Sequence, residues 1–299
     1  MRTAETQSKR RKAQALVLSK GLSIIFIVLL AGSLVPHALN ASATATSPGP
    51  LVYSGVPVFI NGNYAQDWIT RFGFDADKHP PYLTMALGAG SVTPWQMARG
   101  FAVFANGGYR IEPYVVQRIV DDRGNVLAQA QPPRAGDDSL RVIDARNAFV
   151  MDSMLHDVVR YGTGARAMSL GRKDLAGKTG TTNDLVDAWF AGYQPTLVAI
   201  AWIGFDQPHK LGNNETGAVA ALPIWMNYMS KALKGVDEMF QQVPDGVVSV
   251  NVNPDTGQPA SDGRQSEYFY RENVPPAQKP DVPADGARSP EEVKPTTQF

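Results

Sequence analysis

The fold of this chain is decided by residues 174–205, which read DLAGKTGTTNDLVDAWFAGYQPTLVAIAWIGF. Three runs of apolar and small residues, separated by polar residues, predict three consecutive antiparallel strands. Alternation along the first strand places Thr179 and Thr181 on one face of the sheet and Lys178 and Gly180 on the other. Hydroxyl groups and a lysine ammonium bind carboxylates, and charge-assisted hydrogen bonds are about twice as strong as neutral ones. The stretch therefore predicts a strand edge that receives an anion.

The composition bounds the class of protein. The chain has 299 residues, of which 43% are apolar and 19% are charged, enough for one large or two small domains with a core. The net charge is zero, but residues 1–43 hold six basic residues and one acidic residue, so the remainder carries −5. A mildly acidic body argues against a nucleic-acid partner. The absence of cysteine excludes disulfides, thiolate nucleophiles and cysteine-ligated metal centres.

The first 45 residues have the features of a targeting segment. Residues 1–20 are polar and basic, the fifteen residues 21–35 carry no charge, and small residues cluster at 40–46. This order is typical of a cleaved signal peptide, and an uncleaved anchor that holds the chain on the membrane is the alternative. Fifteen residues fall short of the roughly 20 that a spanning helix needs, which favours cleavage. Either segment would place the body outside the cytoplasm, after a linker at residues 46–62.

Helix and strand patterns are both present in the rest of the chain. The predicted elements are helices at 64–72, 95–105, 144–160 and around 224–229, a hairpin at 114–128 and a strand at 246–252. Thr93 and Pro94 supply an N-cap and a first-turn proline, and Asp144 caps the next long helix. Strands grouped together with flanking helices indicate an α+β fold. Frequent prolines among charged residues predict a disordered tail at 274–299.

Several segments, in a fixed order, carry a family resemblance. They are residues 63–74, 87–94, 104–109, 160–164, 177–184 and 187–190. Residues from about 61 to 273 resemble the C-terminal half of the transpeptidase domain of class A penicillin-binding proteins. The resemblance implies an antiparallel sheet flanked by helices, incomplete at its N-terminal side, over residues 63–273. It also implies serine acyl transfer between peptidoglycan stem peptides, acylation by β-lactams, and a periplasmic protein that is exported or anchored in the inner membrane.

The resemblance gives a role to the first strand of the meander. The family has three sequence signatures, Ser-x-x-Lys, Ser-x-Asn and Lys-Thr-Gly, and the third is present as Lys178-Thr179-Gly180. Together with Thr181, these residues are predicted to bind the stem peptide or the β-lactam. Gly180 leaves room for a substrate backbone along the strand. The backbone amide that matches Thr181 supplies one donor of the oxyanion hole in the family.

The other two signatures do not occur in the order that the family requires. No serine of the chain is followed three residues later by a lysine, and the one Ser-x-Asn, at Ser249 and Asn251, comes after Lys178 in a predicted strand. Without a nucleophilic serine no acyl intermediate forms, and half of the oxyanion hole is lost with it. We therefore expect a truncated transpeptidase-type domain that is inactive alone. The alternatives are a non-catalytic module that binds stem peptides or a partner, and a gene fragment without function.

Other candidate chemistry is sparse. The four histidines are His37, His79, His156 and His209. They have no metal-ligand spacing, so we expect neither a metal nor a cofactor. Asp184 and Asp187 flank the turn after the first strand, where turn and capping roles are expected, not acid–base catalysis. The aromatic residues of the meander are predicted to pack across strands, and they are Trp189, Tyr193, Trp202 and Phe205.

Overall fold

The computed structural model describes residues 52–53, 56–57, 62–133, 136–253, 257–261, 263 and 265–276. The predicted signal peptide or anchor at 1–45 and most of the predicted tail at 274–299 lie outside these residues. None of the helices in the described ranges combines the length and apolar character that crossing a bilayer requires. Backbone contacts divide the chain into two compact units, residues 1–247 and 248–299. The domain bounds 63–273 stay a prediction.

Helices and antiparallel strands both occur in the first unit. Its α-helices are α1 (Gly62–Thr70), α2 (Pro94–Ala105), α3 (Ala145–Arg160) and α4 (Leu222–Ala232). Its strands are β1 (Val52–Tyr53), β2 (Val56–Pro57), β3 (Arg118–Val120), β4 (Val126–Gln129), β5 (Ala176–Thr181), β6 (Ala188–Gln194) and β7 (Leu197–Ile203). β8 (Val247–Val252), which starts at the boundary, pairs with β9 (Gln265–Tyr270) in the second unit.

The predicted meander is a three-stranded antiparallel sheet in the order β5-β6-β7. Lys178 lies opposite Ala191, and Gly180 lies opposite Trp189, which in turn faces Trp202 on β7. The rings of Trp189 and Trp202 are 5.8 Å apart, as expected for a cross-strand aromatic pair. This register places β5 at one edge of the sheet.

Helices cover both faces of this sheet. On one face, α2 and α3 pack against Trp189, Tyr193 and Trp202, all of which are buried. On the other face, α4 packs against β6 and β7, and the rings of Phe190 and Trp225 are 4.8 Å apart. An antiparallel sheet between two helical layers confirms the predicted α+β class.

A pair of glycines forms a depression under α4. Gly177 on β5 lies directly opposite Gly192 on β6. A Cβ atom on Gly192 would come within 2.9 Å of the Trp225 ring, and one on Gly177 would come within 2.9 Å of the Phe190 ring. Trp225 Nε1 donates a hydrogen bond to the carbonyl of Ala199 at 3.0 Å, which fixes the indole over this depression. Gly192 therefore sets how closely α4 approaches the sheet, and Gly177 makes room for the Phe190 ring beside it.

The helix starts follow the predicted capping residues, with one difference at α4. Thr93 and Gln96 form a capping box at the start of α2, and Asp144 accepts a hydrogen bond from Arg146 N at the start of α3. The sequence predicts that α4 follows residues 213–217 directly. In the structure a π-helical turn, Gly217–Ala221, precedes it. Hydrophobic periodicity does not distinguish a π turn from an α turn over five residues.

The predicted hairpin at 114–128 is a short two-stranded ribbon, formed by β3 and β4. Its turn is closed by Asp121, whose Oδ1 accepts hydrogen bonds from Arg123 N at 2.9 Å and from Asn125 N at 2.7 Å. The first strand begins at Arg118, four residues later than predicted. Every residue of both strands is exposed, so the ribbon does not contribute to either hydrophobic cluster.

Candidate functional site

β5 presents the predicted site residues along the edge of the sheet. The register confirms the predicted alternation, because Lys178 and Gly180 lie opposite residues of the α2–α3 face. Thr179 lies opposite Phe190 and Thr181 lies opposite Ala188, both of which belong to the α4 face. In the part of the chain that the structure describes, no other strand pairs with the outer side of β5. The four predicted residues are therefore together on one open strand.

Lys178 is a half-buried cation. Its Nζ donates a hydrogen bond to the carbonyl of Thr179 at 3.0 Å. Burial removes water from the ammonium and lowers the pKa of Lys178 below its usual value of 10.5. No carboxylate of the described residues lies within 4.0 Å of Nζ. An incoming carboxylate would supply the counter-charge that this ammonium lacks in the structure.

The Thr179 hydroxyl forms a hydrogen bond inside the protein. Its side chain is only 8% exposed, and its Oγ1 lies 2.7 Å from Oγ1 of Thr163, where either oxygen can be the donor. Thr163 was not among the predicted site residues. Its segment, residues 160–164, is one of those that carry the family resemblance, but the sequence assigns no site role to its threonine. The structure thus uses Thr163 to hold the middle of β5.

Thr181 differs because it is an exposed residue whose hydroxyl has a different partner. Its Oγ1 accepts a hydrogen bond from the backbone N–H of Gly217 at 3.0 Å. An N–H group can only donate, so this bond uses a lone pair of the hydroxyl and leaves its proton free. The two threonines, which share one face in sequence, therefore have different roles. Thr181 presents a donor to solvent, and Thr179 is held by Thr163.

The loop between β5 and β6 is held by the side chain of Thr182. Thr182 Oγ1 accepts hydrogen bonds from Val186 N at 3.0 Å and from Asp187 N at 2.8 Å. Asp187 is buried, and its Oδ1 accepts a hydrogen bond from Trp202 Nε1 at 2.9 Å. Asp184 is exposed. The structure thus gives Asp187 a bond from Trp202 of β7, and the turn and capping roles expected for the two aspartates stay predictions.

A buried polar network connects α3 with the sheet. Tyr193 OH donates to Asp152 Oδ1 at 2.6 Å, and His156 Nε2 lies 3.4 Å from the other oxygen of Asp152. His156 Nδ1 donates to the carbonyl of Leu175, just before β5, at 2.9 Å. Burial, and then the charge of Asp152, raises the pKa of Tyr193 well above 10.0. The network fixes α3 to both β5 and β6, so His156 serves the scaffold.

The remaining histidines that the structure describes also have structural contacts. His79 Nδ1 donates to the carbonyl of Asp75 at 2.8 Å, and the ring of His209 packs edge-on against Phe205. His37 lies outside the described residues. In the described ranges no group of three or more histidine, aspartate or glutamate side chains is arranged to hold a metal ion.

Comparisons with known proteins agree with this arrangement. A family model described as the penicillin binding protein transpeptidase domain matches residues 23–224. Penicillin-binding protein 1A of Neisseria lactamica is 47% identical over 238 residues, which cover 80% of this chain and 27% of that protein. Penicillin-binding protein 1A of Pseudomonas aeruginosa is 41% identical over 261 residues, which cover 71% of this chain and 32% of that protein.

A solved structure shows the same fold. The crystal structure of penicillin-binding protein 1A from Haemophilus influenzae matches with a TM-score of 0.73 at 30% identity, covering 91% of this chain and 51% of that chain. The chain spans about a third or less of the length of the two curated relatives. The family match covers more than half of the chain and includes β5. On these grounds the chain belongs to the penicillin-binding protein transpeptidase domain family.

Proposed function

We propose that this chain is a transpeptidase-type, penicillin-binding domain whose β5 edge receives the terminal carboxylate of a peptidoglycan stem peptide, or that of a β-lactam. The observation that carries the proposal is that Lys178 and Thr181 both lie on β5, whose outer side has no partner strand among the described residues. Lys178 has no carboxylate of the described residues within 4.0 Å, and Thr181 presents an exposed hydroxyl. Family membership supports the choice of ligand.

The edge of a sheet suits an extended peptide. Unpaired backbone groups on an edge strand can hydrogen-bond a ligand laid beside it, while neighbouring side chains select its end group. Lys178 contributes a positive field from one face of β5, and Thr181 contributes a hydroxyl donor from the other. Both favour a carboxylate over a neutral amide, because charge-assisted hydrogen bonds are the stronger ones.

We further propose that the binding is reversible, with no acyl transfer by this chain alone. Acyl transfer in the family uses a serine activated within Ser-x-x-Lys, and no serine of these 299 residues has that spacing. The test is to incubate the purified chain with a fluorescent penicillin, boil it in detergent and examine the gel. We expect no covalent label. Labelling at stoichiometric yield would contradict the proposal and identify a nucleophile among the serines present.

Carboxylate binding is tested by equilibrium titration with N-acetyl-D-Ala-D-Ala. Lys178→Ala and Thr181→Ala should each weaken binding by about tenfold or more, since each removes a hydrogen bond to a charged group. Lys231→Ala and Thr84→Ala are matched controls, because both residues are exposed and belong to other elements than β5. Unchanged affinity in the two β5 variants, or no binding at millimolar peptide, would refute the proposal.

A further inference from the structure

We propose that the backbone amide of Gly217 positions the Thr181 hydroxyl for ligand binding. The amide donates to Thr181 Oγ1 from inside the protein and so leaves the hydroxyl proton directed toward a ligand carboxylate. Gly217 is thereby a positioning residue, which acts on the ligand through Thr181. The choice of ligand rests on the proposed function, whereas the hydrogen bond between Gly217 and Thr181 does not depend on it.

The contact between the two residues has a defined polarity. The distance from Gly217 N to Thr181 Oγ1 is 3.0 Å. A threonine hydroxyl has one proton and two lone pairs, whereas an amide N–H has no lone pair to offer. Gly217 can therefore satisfy only the acceptor side of Thr181. The donor side remains for whatever lies along the exposed edge of β5.

Thr179 provides the internal contrast. Its partner, Thr163, is another hydroxyl, so either oxygen can be the donor and the contact does not fix where the Thr179 proton points. Thr179 is also buried, whereas Thr181 is exposed. Of these two threonines on the same face, the one with a donor-only partner is thus the one that a ligand can reach.

The Gly217 amide is available because of its place at the start of a helix. Thr216 caps the π-helical turn, with its Oγ1 accepting from Val219 N and its carbonyl accepting from Ala220 N at 2.8 Å. The first N–H groups of a helix have no partner within it, so the Gly217 N–H is free to reach β5. Single π turns inside helices occur frequently at functional sites. Here the turn joins α4 to the strand that carries the site.

Glycine is required for this approach. A Cβ atom at residue 217 would lie 2.5 Å from the carbonyl oxygen of Gly180 and 3.0 Å from its nitrogen, and it would also collide with the carbonyl oxygen of Trp189. These are backbone atoms of two paired strands, which cannot move aside as a flexible side chain can. Any larger residue would therefore lift the turn from β5 and break its bond to Thr181.

The first test needs no ligand. Hydrogen exchange of the Gly217 amide is measured by NMR in the unmodified chain and in Thr181→Val and Thr181→Ser. We expect exchange to become about tenfold faster in Thr181→Val, which lacks the acceptor, and to stay within about threefold in Thr181→Ser, which keeps it. Thr84→Val, at an exposed position, controls for the general effect of the substitution. Equal protection in the valine and serine variants at position 181 would overturn the inference.

The second test measures N-acetyl-D-Ala-D-Ala affinity in a double-mutant cycle of Gly217→Ala and Thr181→Val. Each single variant should bind about tenfold more weakly, Thr181→Ser should bind within about threefold, and the double variant should show no further loss. Independent, multiplied losses would show that Gly217 does not act through Thr181. A thermal melt checks that each variant is folded. If Gly217→Ala does not fold, the comparison of Thr181→Ser with Thr181→Val decides the outcome.

The two tests separate failure of the inference from failure of the proposed function. If the unmodified chain does not bind the peptide at millimolar concentration, the proposed function fails, and amide exchange alone decides whether Gly217 holds Thr181. If the peptide binds but exchange is the same in the valine and serine variants, the proposed function survives and the positioning role of Gly217 is wrong.

Discussion

The ribbon of β3 and β4 and the meander of β5, β6 and β7 come from similar sequence patterns but have opposite surroundings. Both were predicted as antiparallel strands from apolar residues and turn signals. Every residue of β3 and β4 is exposed, whereas every residue of β6 is buried. The difference shows that a strand pattern predicts pairing, while the helices packed on a sheet determine whether it becomes core.

The ribbon and the meander also differ in the interactions that stabilise them. A two-stranded hairpin without a packed face is marginally stable, so the ribbon depends on its turn and its attachment to the domain. The meander is fixed by two hydrophobic clusters and by the buried network of Asp152, His156 and Tyr193. Substitutions of equal chemistry in the two regions should therefore have unequal effects on the free energy of unfolding.

Among substitutions that shorten a side chain, the largest difference is expected for a matched isoleucine pair. Ile203 in β7 is 4% exposed and Ile119 in β3 is 50% exposed. Ile203→Ala should lower the free energy of unfolding by about 2–5 kcal/mol because it leaves a cavity in the core. Ile119→Ala should lower it by about 0.5 kcal/mol or less. Urea denaturation measures both, and equal losses would show that the ribbon is buried in solution.

Removing the hydroxyl of Tyr193 should have the next largest effect. Tyr193→Phe deletes the 2.6 Å hydrogen bond to the buried carboxylate of Asp152, so we expect a loss of about 1–3 kcal/mol in urea denaturation at neutral pH. Ser266→Ala, which removes a hydroxyl bonded at 2.7 Å at an exposed position of β9 in the second unit, is the control and should be near neutral. A neutral Tyr193→Phe would show that the network contributes nothing to stability.

The same tyrosine predicts a pH dependence. The pKa of Tyr193 is raised well above 10.0 in the folded chain by burial and then by Asp152. Above pH 10 the unfolded chain releases this proton while the folded chain keeps it, so the free energy of unfolding should fall as the pH rises. Tyr193→Phe should lack this contribution to alkaline destabilisation. Parallel stability curves for the two proteins above pH 10 would contradict the assignment.

Lys178 is the one charged residue within strands β5, β6 and β7, and a smaller effect on stability is expected there. Burial lowers the pKa of Lys178, so the charged side chain destabilises the folded state at neutral pH. This destabilisation disappears as the pH rises from the lowered pKa toward the usual value of 10.5, because the lysine then loses its charge in the folded state first. Lys178→Met should therefore leave stability at neutral pH equal or higher, by within about 1 kcal/mol, while weakening carboxylate binding. A large loss of stability would instead make Lys178 a structural residue.

The smallest effect is expected on the ribbon. Leu127 in β4 is 65% exposed, and Leu127→Lys should change the free energy of unfolding by about 0.5 kcal/mol or less while raising solubility. Leu222→Lys, at a fully buried position of α4, is the contrasting variant and should prevent folding. A marked loss of stability in Leu127→Lys, measured by thermal melt, would indicate that the ribbon packs against something in solution.

Local interactions could be predicted from the sequence, and contacts between distant segments could not. Thr93, Pro94 and Gln96 lie within four residues, and the alternation of Lys178 and Thr179 follows from strand geometry alone. The partners of the site hydroxyls were missed because Thr163 is 16 residues from Thr179, and Gly217 is 36 residues from Thr181. Only the packing of α3 and α4 on the sheet brings them together.

The glycine pair under α4 has a consequence for how this protein can change. Gly177 adjoins Lys178 of the site strand, and Gly192 lies against the Trp225 ring. A side chain at Gly192 would meet the carbonyl oxygen of Ala176 as well as the Trp225 ring, and one at Gly177 would meet the carbonyl oxygen of Ala191. Because backbone atoms lie this close at both positions, a smaller residue at position 225 would not make room for a side chain at either glycine. We therefore expect both positions to tolerate no substitution, whatever residue stands at position 225.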